Sequence, residues 1–341
     1  MKIKKVLVIG GTGFIGSHLV DTLIKRGYKV RCLVRKTSNL KWIEDHVKKN
    51  RIDLAYGDIV DKKSLELATK GVDVVYNLAT IIDERWVRYE DFKKINLVGT
   101  KNIVEACIKN QVKKFIYFSS IAAVGMESAN HPINEQEHCK PTTLYGKSKY
   151  EAEKFLNNVI KQNKINIVIL RPPTVYGPRE AYNTASLFRT IQQGKFKIIG
   201  NGKNLMSFCF IKNVVDAAIL AMERETANNE TFFITDERAY SLQEFAETIA
   251  KEYNVKISKI HIPYWIAYFT GFCFETIEKI TRKKALLSRD RVKTMTSTYT
   301  YNISKAKKLL GYNPKYNLQT GVKETAKWYK ENGYYDSKKL S

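Results

Sequence analysis

The sequence predicts an α/β fold in which helices cover both faces of a doubly wound parallel sheet. Strand-like apolar runs alternate with helical patterns along the first half of the chain, and a glycine-rich turn follows the first run directly. No long polar linker interrupts the 341 residues, which favours one α/β body with a smaller C-terminal lobe. The predicted strands are Val6–Ile9, Lys29–Val34, Arg51–Ala55, Val74–Leu78, Lys114–Phe118 and Asn166–Leu170.

The turn after the first strand has the composition of a phosphate cradle. It is a seven-residue glycine-rich stretch, and a helix is predicted directly after it. Glycines at its first, fourth and seventh positions allow a tight turn, the approach of a pyrophosphate, and close packing of the helix on the sheet. The first N–H groups of the helix then face the anion. The pattern predicts a Rossmann-type dinucleotide site formed by Gly10, Thr12, Gly13, Phe14, Ile15 and Gly16.

The end of the second strand predicts which dinucleotide binds. An NAD site usually has an acidic residue at this point, where it accepts hydrogen bonds from the ribose hydroxyls. This chain instead has Arg35 and Lys36, followed by Ser38, and these could hold a 2′-phosphate. We therefore expect NADP(H) rather than NAD(H). The alternative is a solvated, lysine-rich loop with no part in cofactor choice.

Asp58 and Ile59 follow the third strand, at the place expected for the adenine ring. Asp58 could accept a hydrogen bond from the exocyclic amine of the adenine. It could equally cap the next helix, which is predicted to begin near Asp61. The sequence leaves these two roles open.

A serine, a tyrosine and a lysine follow the fifth strand. The strand ends at Ser119 and Ser120, and Tyr145 and Lys149 open a predicted helix that places them on one face. The chain has six Tyr-x-x-x-Lys pairs, but only the pair at Tyr145 follows a serine-bearing strand end in the nucleotide-binding half. A phenol with a pKa near ~10 is a weak base, but a nearby ammonium and a cationic nicotinamide favour the phenolate. Tyr145 could then be the general acid and base for reversible hydride transfer at a secondary alcohol or ketone.

These motifs together resemble those of the extended short-chain dehydrogenases/reductases, the superfamily that includes the NAD-dependent epimerases/dehydratases. The resemblance implies that Ser120 holds the substrate oxygen and that Lys149 also hydrogen-bonds the nicotinamide ribose. It further implies that Leu78, Ala79 and Pro172 belong to the cofactor site. The motifs that carry it are the glycine triplet, Asp58, Asn77-Leu78-Ala79, Asn96 within residues 95–100, Ser120, Tyr145 with Lys149, and residues 171–178.

Asn96 has two interpretations within this resemblance. It could be a further catalytic residue beside Ser120, Tyr145 and Lys149. It could instead brace the junction between the central helix and a strand without touching the substrate.

Two departures from the superfamily's patterns limit which of its reactions this chain is expected to catalyse. Dehydratases carry a Thr-Asp-Glu cluster where this chain has Ser-Ser-Ile at 119–121, so elimination of water is not expected. Nucleotide-sugar epimerases usually have an Arg-Asp pair where this chain has Met206 and Ser207. Loss of that bidentate phosphate donor weakens the epimerase hypothesis. The cations that could replace it are Arg179, Arg189 and Lys203.

Residues 262–274 are almost wholly apolar and aromatic, in a segment too short to span a bilayer. Three interpretations remain open: a core or substrate-lid helix, an interfacial membrane contact, and a surface for a protein partner. Together with residues 304–312, the segment makes the C-terminal part resemble 3β-hydroxysteroid dehydrogenases and sterol-decarboxylase-type members. The resemblance implies an alcohol or ketone on a hydrophobic substrate.

The composition limits the partners and the compartment. The net charge is +24, but the basic residues are spread along the chain without a recognition motif, so we expect a solvated surface and no nucleic-acid partner. An anionic substrate or an anionic lipid is the alternative. Five cysteines without a C-x-x-C pair and the absence of a signal peptide predict a cytoplasmic protein, either free or peripheral to a membrane. The five histidines lack ligand spacing, which predicts no metal site.

The sequence therefore predicts an NAD(P)-dependent oxidoreductase acting on a bulky, sterol-like substrate. A nucleotide-sugar 4-epimerase with retained NAD is the alternative, and a non-catalytic dinucleotide sensor is a third hypothesis. Residues 1–170 are expected to form the cofactor-binding core, and residues 171–341 mainly a substrate lobe interleaved with it. A homodimer is expected through the long helices around Glu90–Lys109 and Tyr145–Lys161.

Overall fold

A seven-stranded parallel sheet forms the centre of the computed structural model, which describes residues 3–82, 87–125, 131–182, 184–281 and 287–334. The strands are β1 (Lys5–Ile9), β2 (Lys29–Val34), β3 (Ile52–Tyr56), β4 (Val74–Asn77), β5 (Lys114–Phe118), β6 (Asn166–Arg171), β7 (Thr174–Tyr176), β8 (Leu205–Met206), β9 (Phe208–Phe210), β10 (Glu230–Phe233) and β11 (Tyr240–Ser241). Across the main sheet the order is β10-β6-β5-β4-β1-β2-β3.

The order of the strands reverses at β1. β2 and β3 lie on one side of it, and β4, β5, β6 and β10 lie on the other. Ligands of doubly wound sheets bind at the carboxyl ends of the strands beside such a reversal. The predicted fold class is confirmed, and all six predicted strands are present within one residue of their expected bounds. β10, at the edge of the sheet, is not among the predicted strands.

The first strand shows why the sheet is buried on both faces. Val6, Leu7, Val8 and Ile9 are each at most 1% exposed. Because side chains alternate across a strand, Val6 and Val8 enter one apolar core while Leu7 and Ile9 enter the other. A continuous apolar run is therefore the pattern that this strand requires.

Helices form the outer layer on each face. They are α1 (Phe14–Lys25), α2 (Glu44–Lys48), α3 (Lys62–Thr69), α4 (Tyr89–Phe92), α5 (Thr100–Lys109), α6 (Leu144–Lys161), α7 (Thr184–Gln192), α8 (Ile211–Glu223), α9 (Leu242–Glu252), α10 (Tyr264–Thr281), α11 (Arg289–Thr296), α12 (Ser304–Leu310) and α13 (Leu318–Glu331). α1 and α8 pack on the face of the sheet that carries Val6 and Val8. α3, α5 and α6 pack on the opposite face.

The long helix predicted around residues 90–109 is a helical segment in three parts. α4 leads into a π-helical stretch, Lys93–Gly99, which continues as α5. π-helical turns are rare and often occur at functional sites. Asn96 lies within this stretch.

The second half of the chain contributes both to the main sheet and to smaller units. β10 pairs with β6, while β7 with β9 and β8 with β11 form two small sheets. α10 and α11 pack on each other around a separate small cluster of Ile199, Ala267 and Val292. Within the described ranges, every helix is too short or too polar to cross a membrane. The division at residue 170 stays a prediction.

Candidate cofactor and catalytic site

The turn between β1 and α1 brings backbone segments so close together that two of its glycines cannot be replaced without a clash. Gly10 has a φ of +86°, and a Cβ on it would lie 2.9 Å from the carbonyl carbon of Leu78. A Cβ on Gly16 would lie 2.1 Å from the carbonyl oxygen of Gly10. These contacts set the start of α1 against the end of β4, where Leu78 and Ala79 follow the strand.

The N-terminus of α1 fits an anionic ligand. Its N-cap residue is Gly13, which has no side chain to occupy the helix end, and its first turn contains no acidic residue. Gly13 is exposed, while Thr12, Phe14 and Ile15 are half-buried around it. The unsatisfied N–H groups and the positive end of the helix dipole attract phosphate. This turn is therefore suited to the pyrophosphate of a dinucleotide.

Arg35 and Lys36 stand at the carboxyl end of β2, beside the start of α1. Both side chains are exposed. The Ser38 hydroxyl accepts a hydrogen bond from the Arg35 backbone N–H at 2.9 Å, and the Ser38 N–H donates to the Arg35 carbonyl at 3.0 Å. This tight turn holds two exposed cations at the edge of the sheet where a ribose would lie.

Asp58 lies at the end of the neighbouring strand, β3. Its carboxylate accepts a hydrogen bond from the Val60 N–H at 3.1 Å. Asp61, and not Asp58, caps α3 by accepting from the Lys63 N–H at 3.0 Å. The interpretation of Asp58 as a helix cap is therefore wrong. Its contact with adenine stays a prediction, as does that of the buried Ile59.

Tyr145 lies in the first turn of α6, close to the loop that follows β5. A Cβ on Gly146 would lie 2.3 Å from the carbonyl oxygen of Ala122, so this glycine allows α6 to pack against the loop that carries Ser120. Burial raises the pKa of Tyr145 to about 12, while hydrogen bonds with the side chains of Ser120 and Thr80 act in the opposite direction. The structure thus places the hydroxyls of Ser120 and Thr80 within hydrogen-bonding distance of the Tyr145 phenol.

Ser119 occupies a different position from Ser120. Its side chain is 4% exposed, and its Oγ has no hydrogen-bond partner among the described residues. The hydroxyl that reaches Tyr145 is that of Ser120.

Lys149 is buried one turn after Tyr145. Its Nζ donates to the carbonyl oxygen of Phe118 at 2.7 Å and lies 5.9 Å from the centre of the Tyr145 ring and 4.7 Å from that of Tyr117. Burial lowers the pKa of Lys149 to about 7, and the charge of Glu153 acts in the opposite direction. The position combines a desolvated amine with a nearby phenol.

Glu153 joins α6 to the end of β6 through a buried ion pair. The Nε and Nη2 atoms of Arg171 donate to the two carboxylate oxygens at 3.0 and 2.6 Å, and the two side chains are 6% and 1% exposed. The next residue, Pro172, accepts a hydrogen bond from the Ile121 N–H at 3.1 Å. The paired charges fix the height of α6 relative to the strand ends and hence position Lys149.

Asn96 connects the loop after β4 to α6. Its Nδ2 donates to the Ser148 hydroxyl at 2.9 Å, and its Oδ1 accepts from the Thr80 hydroxyl at 3.0 Å and the Ile81 N–H at 3.2 Å. These contacts have the geometry of a brace. Sequence reasoning missed Thr80, although it directly follows the quoted Asn77-Leu78-Ala79 motif.

Comparison with known proteins identifies the family. A family model described as "NAD dependent epimerase/dehydratase family" matches residues 6–234, more than half of the chain. The chain belongs to this family. The predicted resemblance is confirmed, and the protein is an NAD-dependent dehydrogenase or epimerase of the extended short-chain type.

Relatives in the epimerase/dehydratase family differ in substrate. "Sterol-4-alpha-carboxylate 3-dehydrogenase, decarboxylating" of Mus musculus is 32% identical over 337 residues, covering 95% of this chain and 90% of the relative. "N-acetyl-alpha-D-glucosaminyl-diphospho-ditrans,octacis-undecaprenol 4-epimerase" of Escherichia coli O157:H7 is 29% identical over 325 residues, covering 95% and 94%. The crystal structure of UDP-glucuronic acid 4-epimerase from Bacillus cereus, in complex with UDP-glucuronic acid and NAD, has a TM-score of 0.76 and 25% identity, covering 96% and 99%. Membership of the family therefore does not select a substrate.

The loop at residues 200–208, which contains the short strand β8, is where this member departs from the epimerase pattern of its family. Met206 and Ser207 are 3% and 2% exposed. The Ser207 hydroxyl accepts from the Tyr301 N–H at 3.2 Å, and the Ser207 N–H donates to the Tyr299 carbonyl at 3.0 Å. The two side chains are thus packed against residues 299–301, and neither is a cation.

The three cations considered as replacements lie in different environments. Arg179 pairs with Asp21 at 2.9 Å and lies 5.4 Å from the ring centre of Trp42, so its charge is already partnered. Arg189, on α7, is half-buried, and Lys203, in the loop itself, is exposed.

Within the described part of the chain, no three His, Cys, Asp or Glu side chains are grouped closely enough to hold a metal ion. The chemistry available here is that of a hydroxyl, a phenol and an amine beside the candidate dinucleotide site.

Proposed function

We propose that this protein is a dehydrogenase or reductase that exchanges its nicotinamide cofactor in each turnover and acts on a bulky, lipophilic, sterol-like alcohol or ketone. The observation that carries the proposal is the buried, uncharged pair Met206 and Ser207, where epimerases usually have a phosphate-binding arginine. A nucleotide sugar bound there would lack its bidentate partner. The Mus musculus relative, whose name specifies a sterol carboxylate, supports the same substrate class.

The cofactor would lie along the carboxyl edge of the sheet. The glycine turn and the N-terminus of α1 would hold the pyrophosphate, with Leu78, Ala79 and Pro172 completing the site. When bound, the nicotinamide supplies the hydride acceptor or donor. Lys149 would hydrogen-bond the nicotinamide ribose.

Proton transfer would be carried out by three side chains. The Ser120 hydroxyl would hydrogen-bond the substrate oxygen, and Tyr145 would take the proton from that oxygen during oxidation and return it during reduction. The ammonium of Lys149 would lower the pKa of the Tyr145 phenol, and the phenolate would in turn raise that of Lys149, because the two groups titrate as a pair. Thr80 and Asn96 would act as positioning residues.

The exposed Arg35 would give a preference for NADP(H) by pairing with the 2′-phosphate, with Lys36 beside it. Arg35→Ala should raise the KM for NADPH about tenfold, since one charge-assisted contact is lost, and leave the KM for NADH unchanged. Arg51→Ala, an exposed arginine before β3 at the opposite end of the strands, is the matched control. Equal loss of affinity for the two cofactors would contradict this role.

A 4-epimerase that retains its cofactor is the second candidate. The Escherichia coli relative favours it, because its name describes a sugar linked to undecaprenol by a diphosphate, which is also a lipophilic substrate. The same Ser120, Tyr145 and Lys149 would serve both reactions, so these residues do not distinguish them.

The proposal extends to the surroundings of the enzyme. The protein would form a homodimer through the α4–α5 segment and α6, and residues 262–274 would contact a membrane surface from which a lipophilic substrate comes. We propose a cytoplasmic location at or near such a surface, and no nucleic-acid partner.

The deciding experiment is native mass spectrometry of freshly purified protein, followed by denaturation and identification of any released nucleotide. Protein that carries no nucleotide and binds added NADPH more tightly than NADH supports the exchanging dehydrogenase. Stoichiometric NAD(H) that survives purification supports the epimerase instead, because the hydride must return to the same substrate.

A further inference from the structure

α10 presents its small residues to the protein and its large apolar residues to the outside. The two residues of this helix that are buried are Ala267 and Gly271. A Cβ on Gly271 would lie 2.9 Å from the backbone nitrogen of Arg289, so α10 packs closely on the start of α11. The large side chains that remain exposed include Trp265, Ile266, Phe269, Phe272, Ile277 and Ile280.

Four of these side chains form an apolar stripe, which the exposed Thr276 interrupts before its last member. Trp265, Phe269, Phe272 and Ile280 follow the spacing of one helical face and are 71%, 65%, 49% and 78% exposed. This α10 stripe lies on the side of the helix opposite the docked pair of small residues. An ordinary surface helix has the reverse arrangement, with its apolar face against the core.

A contiguous exposed apolar surface indicates an interaction site, whereas single exposed apolar residues do not. We propose that the α10 stripe inserts into the headgroup region of a membrane that contains anionic lipids. An interfacial helix of this kind places Trp and Phe at the boundary between headgroups and acyl chains.

Charge favours an anionic lipid surface as the partner of the α10 stripe. The net charge of +24 attracts the protein to an anionic bilayer. Lys279, the charged residue of α10 next to the stripe, is exposed, and Glu275 on the flank is paired with Arg289 at 2.8 Å.

The segment before α10 connects the stripe to the loop at residues 200–208. The Ile262 N–H donates to the Ile198 carbonyl at 2.8 Å, and the Gly200 N–H donates to the Ile262 carbonyl at 2.9 Å. His261 Nδ1 lies 3.0 Å from the Gly200 carbonyl oxygen. A docked α10 would therefore hold the loop at 200–208 close to the headgroups. This step rests on the proposed function: the substrate would be an amphiphile whose reacting ring lies near the membrane surface.

The test is co-sedimentation of the full chain with vesicles of phosphatidylcholine alone or of equal parts phosphatidylcholine and phosphatidylglycerol. Wild-type protein should prefer the anionic vesicles, and more so at low salt. Trp265→Ser/Phe269→Ser should weaken this binding about tenfold or more, since two large apolar contacts with lipid are lost. The matched control is Leu67→Ser/Tyr182→Ser, which removes apolar side chains that are 73% and 77% exposed elsewhere and should bind as wild type does.

Three outcomes would overturn the proposal. The wild type could fail to bind the vesicles, the two double variants could bind them equally well, or the wild type could be a dimer that Trp265→Ser/Phe269→Ser converts to a monomer. Equal binding would mean that the basic surface alone is responsible. Circular dichroism checks that each variant folds. If Trp265→Ser/Phe269→Ser does not fold, Ile280→Ser tests the far end of the stripe instead. The assay uses no substrate, so it can fail while the proposed reaction stands, and the reaction can fail while vesicle binding stands.

Discussion

α6 and α10 are helices of equal length that break the usual rule of apolar inside and polar outside in opposite ways. Each has 18 residues. α6 buries polar and charged groups, among them Ser148, Lys149 and Glu153, whereas α10 buries two small residues and exposes its aromatic ones. Both arrangements cost folding free energy relative to an ordinary amphipathic helix.

This difference indicates whether the contacts of each helix lie inside the protein or outside it. The buried charges of α6 are satisfied inside the protein, by Phe118 for Lys149 and by Arg171 for Glu153, so the helix is complete in the isolated chain. Three members of the α10 stripe, Trp265, Phe269 and Ile280, are instead 71%, 65% and 78% exposed, while the guanidinium of Arg289 lies 5.3 Å from the ring centre of Phe272. α6 therefore has the features of a preorganised site, and α10 those of a contact surface.

The largest expected effect is on α6, at Tyr145. Tyr145→Phe keeps the ring but removes the proton that the mechanism requires, so turnover should fall by about 10²–10⁴-fold while cofactor binding is retained. Turnover with a lipophilic alcohol and binding of NADPH by fluorescence would measure the two quantities separately.

The matched control is Tyr150→Phe. Tyr150 lies on the same helix in another Tyr-x-x-x-Lys pair, with Lys154 Nζ 4.9 Å from its ring centre. This control should retain full turnover. If the two variants were equally active, the role of Tyr145 as acid and base would be wrong.

Lys149 gives a prediction on the pH dependence of stability. Its pKa is lowered from 10.5 to about 7 by burial, so between these values the unfolded chain binds more protons than the folded one. The wild type should therefore gain stability relative to Lys149→Met as the pH rises from about 7 to about 10, by up to about 1.4 kcal/mol per pH unit. Below about pH 7 the difference should be constant. Urea unfolding of both proteins across this range measures it.

Lys154→Met is the control for this series, because Lys154 is exposed on the same helix. The stability difference between this variant and the wild type should show no such slope between pH 7 and 10. A slope shared by the two variants would show that the effect does not come from burial of Lys149.

The sheet and the glycine turn after β1 could be predicted because their signals are local. Val6–Ile9 is buried on both faces and must be apolar throughout, and Gly10 and Gly16 leave no space for a side chain. β10 was missed because a short edge strand, Glu230–Phe233, lies far along the chain from its partner β6 and has no periodicity of its own.

The details of the candidate site depend on contacts between distant segments. Thr80 reaches Tyr145 only because Asn96, on a π-helical turn, holds the loop after β4 against α6. The sequence could not decide whether Asp58 caps α3 for a similar reason, since Asp61, the residue that does so, has the same chemistry three residues further on. For α10, the sequence predicts an apolar segment but not which face is buried, because that choice is made by the fit of Gly271 against Arg289.

On α10, stability should be more sensitive to substitution on the face that packs on α11 than to substitution in the α10 stripe. Gly271→Ala places a methyl group 2.9 Å from the Arg289 backbone, and the crowding should cost about 1–3 kcal/mol, partly offset by the better helix propensity of alanine. Hydrogen exchange of the amides of residues 264–281 should become faster. Thr276→Ala, at an exposed position of the same helix, should not accelerate exchange, and equal protection of the two variants would contradict the close packing.

The smallest effect is expected where α10 is most apolar. Trp265→Ser/Phe269→Ser should change the free energy of unfolding in water by less than about 0.5 kcal/mol, because both side chains are already largely exposed in the folded chain. Leu156→Ala, on the buried face of α6, should cost about 2–5 kcal/mol in the same denaturation experiment. A loss at α10 as large as at Leu156 would mean that the stripe packs against the protein as a lid. A near-zero loss would show that the apolar surface of α10 does not stabilise the fold. This is the result expected of a surface that acts only when α10 contacts something outside the chain.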